Sequence, residues 1–308
     1  MKLDRLSISS SIMTRKRDIS VVETVDEMQS VVQSVRADGL SVGCVPTMGY
    51  LHDGHASLIR HASERHPVVV VSIFVNPTQF GPNEDYARYP RDLAHDLEIV
   101  RQAGATHVFT PTVDQIYPGG PRSSIHIAGV SEVLEGASRP THFDGVATVV
   151  SRLFEAMLPD VAYFGQKDLQ QTLIIRELVR TSPLESVQRV RVEVLPTVRE
   201  PDGLARSSRN VYLSAEDRRE APVIFAALTR GAELLKGGMH DLDAVEQAML
   251  DVLRGVPRLE IDYAVAVDAS TLRRPASPGV CDEFALLIAA RLGSTRLIDN
   301  VLVRTGRP

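Results

Sequence analysis

From residue 41 to about residue 195 the sequence alternates short β-branched runs with segments whose apolar residues recur at helical spacing, and nothing else constrains the fold as strongly. A helix lying between two strands has to cross back over the sheet, so such a chain builds βαβ units around a parallel sheet. The strands of that sheet bury both faces and read as nearly continuous apolar runs. They are expected at 42–45, 68–75, 106–109, 161–164 and 190–195. Between them, Leu58, Ile59 and Ala62 mark one buried helix face, and Leu93, Leu97 and Val100 mark a second that ends at Gly104 as a C-cap. Val146, Val149, Val150, Leu153, Phe154 and Met157 give a third face, and Leu169, Leu173 and Val179 a fourth. After Thr197 the pattern changes to an Arg- and Ser-rich loop, then helices, then strands at 261–267 and 284–290, which places a domain boundary there.

Composition narrows the function classes. With 308 residues, 44% hydrophobic and 24% charged, the chain has material for two modest cores, and no repeat or low-complexity tract is visible. A formal charge of -5 argues against general polyanion binding, nucleic acid included, so a phosphate ligand has to be held by a local pocket. Cys44 and Cys281 lie far apart among apolar residues, which suits buried thiols in a reducing, cytoplasmic compartment. No apolar run reaches the roughly 18 to 20 residues that a membrane helix needs. Residues 1–17 are Ser-rich and basic yet contain Asp4 and lack the apolar core of a secretory signal. They are expected to be a disordered leader, with organelle targeting as the alternative.

Four segments carry candidate chemistry. In VPTMGYLHDGHASLI, residues 45–59, a strand runs through a Gly-containing loop into a helix that starts near Gly54. Such a turn aims unpaired N–H groups and the positive end of a helix dipole at one spot, where phosphate binds well. His52 and His55 flank that start and can donate to phosphate oxygens, or can simply cap the helix. The GxGxxG and GxxxxGK[ST] patterns are absent, as are HExxH and a third zinc ligand at suggestive spacing.

FVNPTQFGPNEDYARYPRD, residues 74–92, follows a strand and emerges at the same carboxyl edge. The amide of Gln79 both donates and accepts, suiting a substrate with adjacent hydroxyl and carboxylate groups. Asp92 and Asp96, at i and i+4 on the next helix, are candidates to approach Mg2+ or are solvated surface acids. YFGQKDLQQ, residues 163–171, repeats the strand-Gly-helix pattern and sets Lys167 beside a positive helix end, a costly place without an anion, with Gln171 one turn further on. LARSSRNVYLS, residues 204–214, offers Arg206, Ser207, Ser208 and Arg209 as phosphate ligands on a mobile loop, or as a flexible linker.

PTMGYLHDGH, NPTQFGPNEDYARYPR, RPTHFDGVATVV, YFGQKDLQQ, PTVREPDGLARSSRN and ARLGSTRLIDN, taken in this order, resemble the segments of the pantoate-beta-alanine ligases, members of the HxGH nucleotidylyltransferase superfamily. The resemblance spans roughly residues 18 to 304. It implies a Rossmann-like α/β domain over 18–197, a smaller α+β C-terminal domain over 198–308 that closes over the site, and a homodimer. The implied reaction is condensation of pantoate with beta-alanine, using ATP and Mg2+, through pantoyl adenylate. Carried over by motif, Met48, Gly49, His52, His55, Gly165, Lys167, Asp168, Val198, Ser207, Ser208 and Arg209 surround ATP, with both histidines, Lys167 and the Ser-Ser-Arg run catalytic. Gln79 and Gln171 hold pantoate and Asp96 is associated with the metal. Arg206 departs from the family pattern, standing where an apolar residue usually precedes the serines; Gln166, Asp92 and His95 vary as well. A transferase that stops after nucleotide transfer and a non-catalytic nucleotide-binding regulator are the rival readings.

Overall fold

Alternate side chains of a strand leave the backbone in opposite directions, and in the valine-rich runs both directions lead into apolar packing. Val42, Cys44, Val68, Val70, Ala162 and Phe164 point into one core, and Val45, Val69, Val71, Val108, Val161 and Tyr163 into another. The computed structural model describes residues 19–82, 84–276 and 281–305. The leader expected over 1–17 lies outside the described residues.

Six strands form one parallel sheet: β1 (Ser20–Val22), β2 (Val42–Thr47), β3 (Val68–Ile73), β4 (His107–Phe109), β5 (Val161–Gly165) and β6 (Arg191–Leu195). Their order is β1-β4-β3-β2-β5-β6. The chain therefore moves outward from β2 through β3 to β4 and then returns to the opposite side of β2 as β5, which makes the β2/β5 junction a topological switch point. Helices α1 (Val25–Ala37), α2 (Asp53–Ser63), α3 (Leu93–Ala103), α4 (His142–Met157) and α5 (Leu169–Thr181) cover the sheet. α1, α4 and α5 pack on one face, and α2 and α3 on the other.

A second, antiparallel sheet has the order β7-β8-β9, formed by β7 (Leu259–Asp268), β8 (Glu283–Leu292) and β9 (Thr295–Arg304). Leu286, Ile288, Ala290 and Leu292 on one face of β8 meet α6 (Val223–Lys236) and α7 (Leu242–Leu253). Ala285 and Leu287 on the other face join Leu169 of α5. Each fully buried Val, Leu or Phe in these cores contributes roughly 1.5–3 kcal/mol. The second sheet thus packs against α5 through side chains, and Cys44 and Cys281 are both free and buried in the packing.

Some expectations need correction. The third helix face is buried throughout, but on α3 Leu93 is exposed and the buried positions are Asp96, Val100 and Ala103. On α5 the core face is Leu169, Ile174, Ile175 and Leu178, while Leu173 only packs against its edge. β1 and β9 are strands that the apolar pattern did not mark. β1 is a three-residue edge strand, and β9 buries the polar Asp299 and Asn300 where alternation calls for apolar residues. Among the described residues no helix is long and apolar enough to cross a membrane.

Candidate active site

The carboxyl ends of β2 and β5 open into a cleft of about 1080 Å³ that also takes in the loop after β3 and residues 196–198 and 204–210. It is lined by Met48, His52, His55, Gln79, Gly165, Lys167, Asp168, Gln171, Val198, Ser207, Ser208 and Arg209. All four segments singled out from sequence therefore converge on one space. Gly49 and Asp96 are the two expected site residues that do not line it.

After β2 the chain turns through Gly49 at φ 84° and Tyr50 at φ 51° before α2 begins. A Cβ on Gly49 would meet Ile73 Cγ2 and Asp96 Oδ2 at 2.9 Å, so glycine is needed for its conformation and for space. Asp96 explains the second contact. Its Oδ1 accepts the Leu51 N–H at 2.6 Å and its Oδ2 accepts the Tyr50 N–H at 2.9 Å. The side chain is 1% exposed, and burial raises its carboxyl pKa against the pull of those two N–H groups. Each carboxylate oxygen thus holds one backbone N–H of the turn, so the acid expected to be associated with the metal also shapes the loop before α2. Asp92, the other candidate, is the N-cap of α3 and accepts the His95 N–H at 3.0 Å. Among the described residues no group of three or more His, Cys, Asp or Glu side chains is placed to hold a cation such as Mg2+.

The histidine pair caps the helix and faces the cleft at once. His52 is the N-cap of α2, and its Nδ1 accepts the Gly54 N–H at 3.1 Å, while His55 Nδ1 accepts the His52 N–H at 3.3 Å. The ring centroids are 4.1 Å apart. A ring that accepts at Nδ1 carries its proton on Nε2, so each imidazole keeps one N–H donor free of the cap. Burial, then the neighbouring His55, Lys167 and Arg206, push the His52 pKa down to about 2. Burial, with Lys167 acting against Asp168, takes His55 to about 4. At neutral pH both rings are uncharged donors.

Lys167 follows β5 at the foot of α5, with Nζ 3.5 Å from Asp168 Oδ1. Its loop is held from the second sheet: Asn300 of β9, 2% exposed, donates through Nδ2 to the Lys167 and Gln166 carbonyls at 2.9 and 3.0 Å. Asn300 Oδ1 in turn accepts from Gln166 Nε2 at 3.2 Å. On the opposite wall, Gln79 Oε1 accepts from Asn76 Nδ2 at 3.1 Å, and Nε2 lies 3.2 Å from Met48 Sδ. Gly145 of α4 lets this wall form, since a Cβ there would come within 2.4 Å of the Thr78 carbonyl oxygen.

The loop after residue 205 lines the cleft and is held by the loops that follow β2 and β3. Ser208 Oγ donates to the Tyr50 carbonyl at 3.1 Å, and Arg209 grips Asp85 with Nε and Nη2 at 3.1 and 3.0 Å. The adjacent Glu84 receives Arg139 at 2.7 and 2.6 Å, and the Gln79 carbonyl accepts from His142 Nδ1 at 2.7 Å. Consecutive carboxylates therefore hold arginines from two different walls. A further fork, Arg296 of β9 on buried Glu135 at 2.6 and 2.7 Å, joins the second sheet to the segment that precedes α4. Burial works to raise the Glu135 carboxyl and the arginine overrides it, leaving it below the usual range. Sequence reasoning drew no site residue from Glu84, Asp85, Arg139, His142 or Asn300, although the quoted segments contain them; charges paired across the fold leave no local spacing to read.

The pantoate-beta-alanine ligase family model matches residues 20–302. A pantothenate synthetase from Moorella thermoacetica is 48% identical over 287 residues, covering 92% of this chain and 99% of the relative. That from Gluconobacter oxydans is 51% identical over 262 residues, covering 85% and 93%. The crystal structure of pantothenate synthetase from Thermus thermophilus superposes with a TM-score of 0.84 at 43% identity, covering 92% of this chain and 99% of that one. A pantoate-beta-alanine ligase from Francisella tularensis, complexed with beta-gamma ATP and beta-alanine, gives 0.75 at 32% identity, covering 92% and 98%. With the match running through both sheets and every segment of the cleft, the chain belongs to the pantoate-beta-alanine ligase family.

Proposed function

We propose that this chain condenses pantoate with beta-alanine at the expense of ATP, through a pantoyl adenylate. The observation that carries the reading is the meeting, in one cleft at the switch point, of two uncharged histidine donors, Lys167, the Ser207-Ser208-Arg209 run and the two glutamines. In the first step a pantoate carboxylate oxygen bonds to the α-phosphorus and the bond to pyrophosphate breaks. In the second, the beta-alanine amine attacks the acyl carbon, loses a proton and expels AMP. No covalent bond to the protein is required, so catalysis is a matter of placing reactants and of meeting charge as it builds on phosphate.

His52, His55, Lys167, Ser207, Ser208 and Arg209 are assigned to the ATP phosphates, with Met48, Gly165, Asp168 and Val198 lining the nucleotide and Gly49 shaping the turn beneath it. Neutral Nε2–H groups suit that task, since they donate without first having to lose or gain a proton. Gln79 and Gln171 are assigned to pantoate. Mg2+ is assigned to the phosphates of the nucleotide, with Asp96 as the acid associated with it. The second sheet with its helices, 198–308, is assigned the part of a lid tied to the first domain by the Arg209, Asn300 and Arg296 contacts. A cytoplasmic homodimer completes the reading, the oligomer to be checked by light scattering.

Pyrophosphate-ATP exchange tests the first step. Exchange that requires pantoate, in the absence of beta-alanine, supports adenylate formation, and added beta-alanine should then release AMP in step with pantothenate. Nucleotide transfer that stops before an amide forms would favour the transferase reading; loss of both reactions with ATP binding intact would favour the regulator.

A further inference from the structure

Arg206 sits where the second domain reaches the start of α2. Its backbone N–H donates to the Val198 carbonyl at 2.9 Å, and the bridge between Arg199 and Ala205 closes a small hairpin beneath it. From this base the guanidinium reaches two carboxylates: Nη2 is 3.0 Å from Asp53 Oδ2, and Nε is 3.0 Å from Glu200 Oε1. Arg206 lines the cleft beside His52 and Gly54. A Cβ built on Gly54 would lie 3.8 Å from Arg206 Cβ, so the side chain crosses the first turn of the helix at van der Waals range.

Asp53 is the first residue of α2, with its side chain 65% exposed. A carboxylate at that position suits the helix dipole, but it repels any polyphosphate brought to the same helix end. Both carboxylates stand at ion-pair distance from the guanidinium, Glu200 on its Nε side and Asp53 on one Nη, while Nε itself makes no hydrogen bond. We propose that Arg206 is a positioning residue that cancels the Asp53 charge at the phosphate-facing end of α2 and ties the Ser207–Arg209 loop to it. This rests on the reading above that the ATP phosphates lie at that helix start. Burial is the main reason His52 stays uncharged, and the Arg206 charge adds to it.

The test compares the full-length wild type with Arg206→Leu, Asp53→Asn and the double variant in steady-state synthesis of pantothenate. Arg206→Leu is expected to raise KM for ATP about three- to tenfold, as one uncancelled charge against a polyphosphate in a largely aqueous setting would. kcat and KM for pantoate stay within about twofold, and the effect shrinks at about 0.5 M salt. Asp53→Asn in the Arg206→Leu background should return KM for ATP to near the wild-type value. A double variant as poor as Arg206→Leu overturns the proposal, because the arginine would then be acting on the nucleotide directly; so does an unchanged KM in Arg206→Leu. Arg206→Gln serves if the leucine variant melts early. ATP titrations of the same proteins separate the two readings: an inactive wild type that shows the same pattern of ATP Kd leaves the charge cancellation standing and removes the assigned reaction, whereas ATP Kd values indifferent to both substitutions remove the charge cancellation.

Discussion

Asp96 of α3 holds Leu51 in place by a 2.6 Å hydrogen bond from the Leu51 N–H, with Tyr50 bound to the other carboxylate oxygen. An amide cannot do this at both oxygens, since one of its atoms is itself a donor. Asp96→Asn should therefore cost about 1 to 3 kcal/mol of stability and lower activity through displacement of the turn before α2. Thermal melting with a Mg2+ titration of the residual activity checks it. A changed Mg2+ requirement with unaltered stability would make the metal association the main role of Asp96.

The doubled use of the histidines is separable by substitution. In His55→Asn, the shorter amide oxygen occupies the place of Nδ1 and preserves the bond to the His52 N–H, while the distal donor is gone. Stability should change by less than about 1 kcal/mol. The exchange rate should drop on the order of a hundredfold or more, the usual cost of one preorganised donor. Variants in which both quantities fall together would mean that His55 matters only as a cap.

The depressed histidine pKa values set a pH dependence of folding. A His near 6.5 when unfolded, and held at about 4 in His55 and His142 and about 2 in His52, is neutral in the fold over a range where the unfolded chain takes up a proton. Unfolded chains then bind more protons, so each contribution is fully present above pH 6.5 and is lost as pH falls toward the folded value. The slope is at most about 1.4 kcal/mol per pH unit for each ring. Denaturant melts between pH 7.5 and about 4.5 should show the loss, steeper in wild type than in His55→Asn. Imidazole NMR signals of His52 and His55 that titrate near 6.5 in the folded protein would contradict it.

Asn300→Ala removes three hydrogen bonds between β9 and the Lys167 loop. It should cost about 1 to 3 kcal/mol and raise KM for ATP more than KM for pantoate. Equal increases in both would place the effect in general domain docking instead.

Much of this was legible in the residues. The β2 and β5 motifs, each a strand running through glycine into a helix, reveal which helix starts border the cleft, because a local turn and a helix start are short-range events. The turn-shaping part of Asp96 was hidden for the opposite reason: an acid at a helix position says nothing about the two backbone N–H groups, 45 and 46 residues away in sequence, that it holds. Asn300 and Glu135 escaped on the same ground. Their partners lie more than a hundred residues away, in the turn after β5 for Asn300 and on β7 and β9 for Glu135, and a buried polar residue interrupts the apolar alternation by which a strand such as β9 is recognised.

Gly145 and Thr78 leave the backbone behind Gln79 without adjustable parts. Main chain meets main chain there, and no rotamer change can absorb an added methyl group. The wall that carries Gln79 is thus gauged by the thickness of two backbones, whereas the facing wall is made of side chains on a loop. Any widening to admit a bulkier acid has to come from that second wall, so the molecule works as a caliper with one fixed jaw.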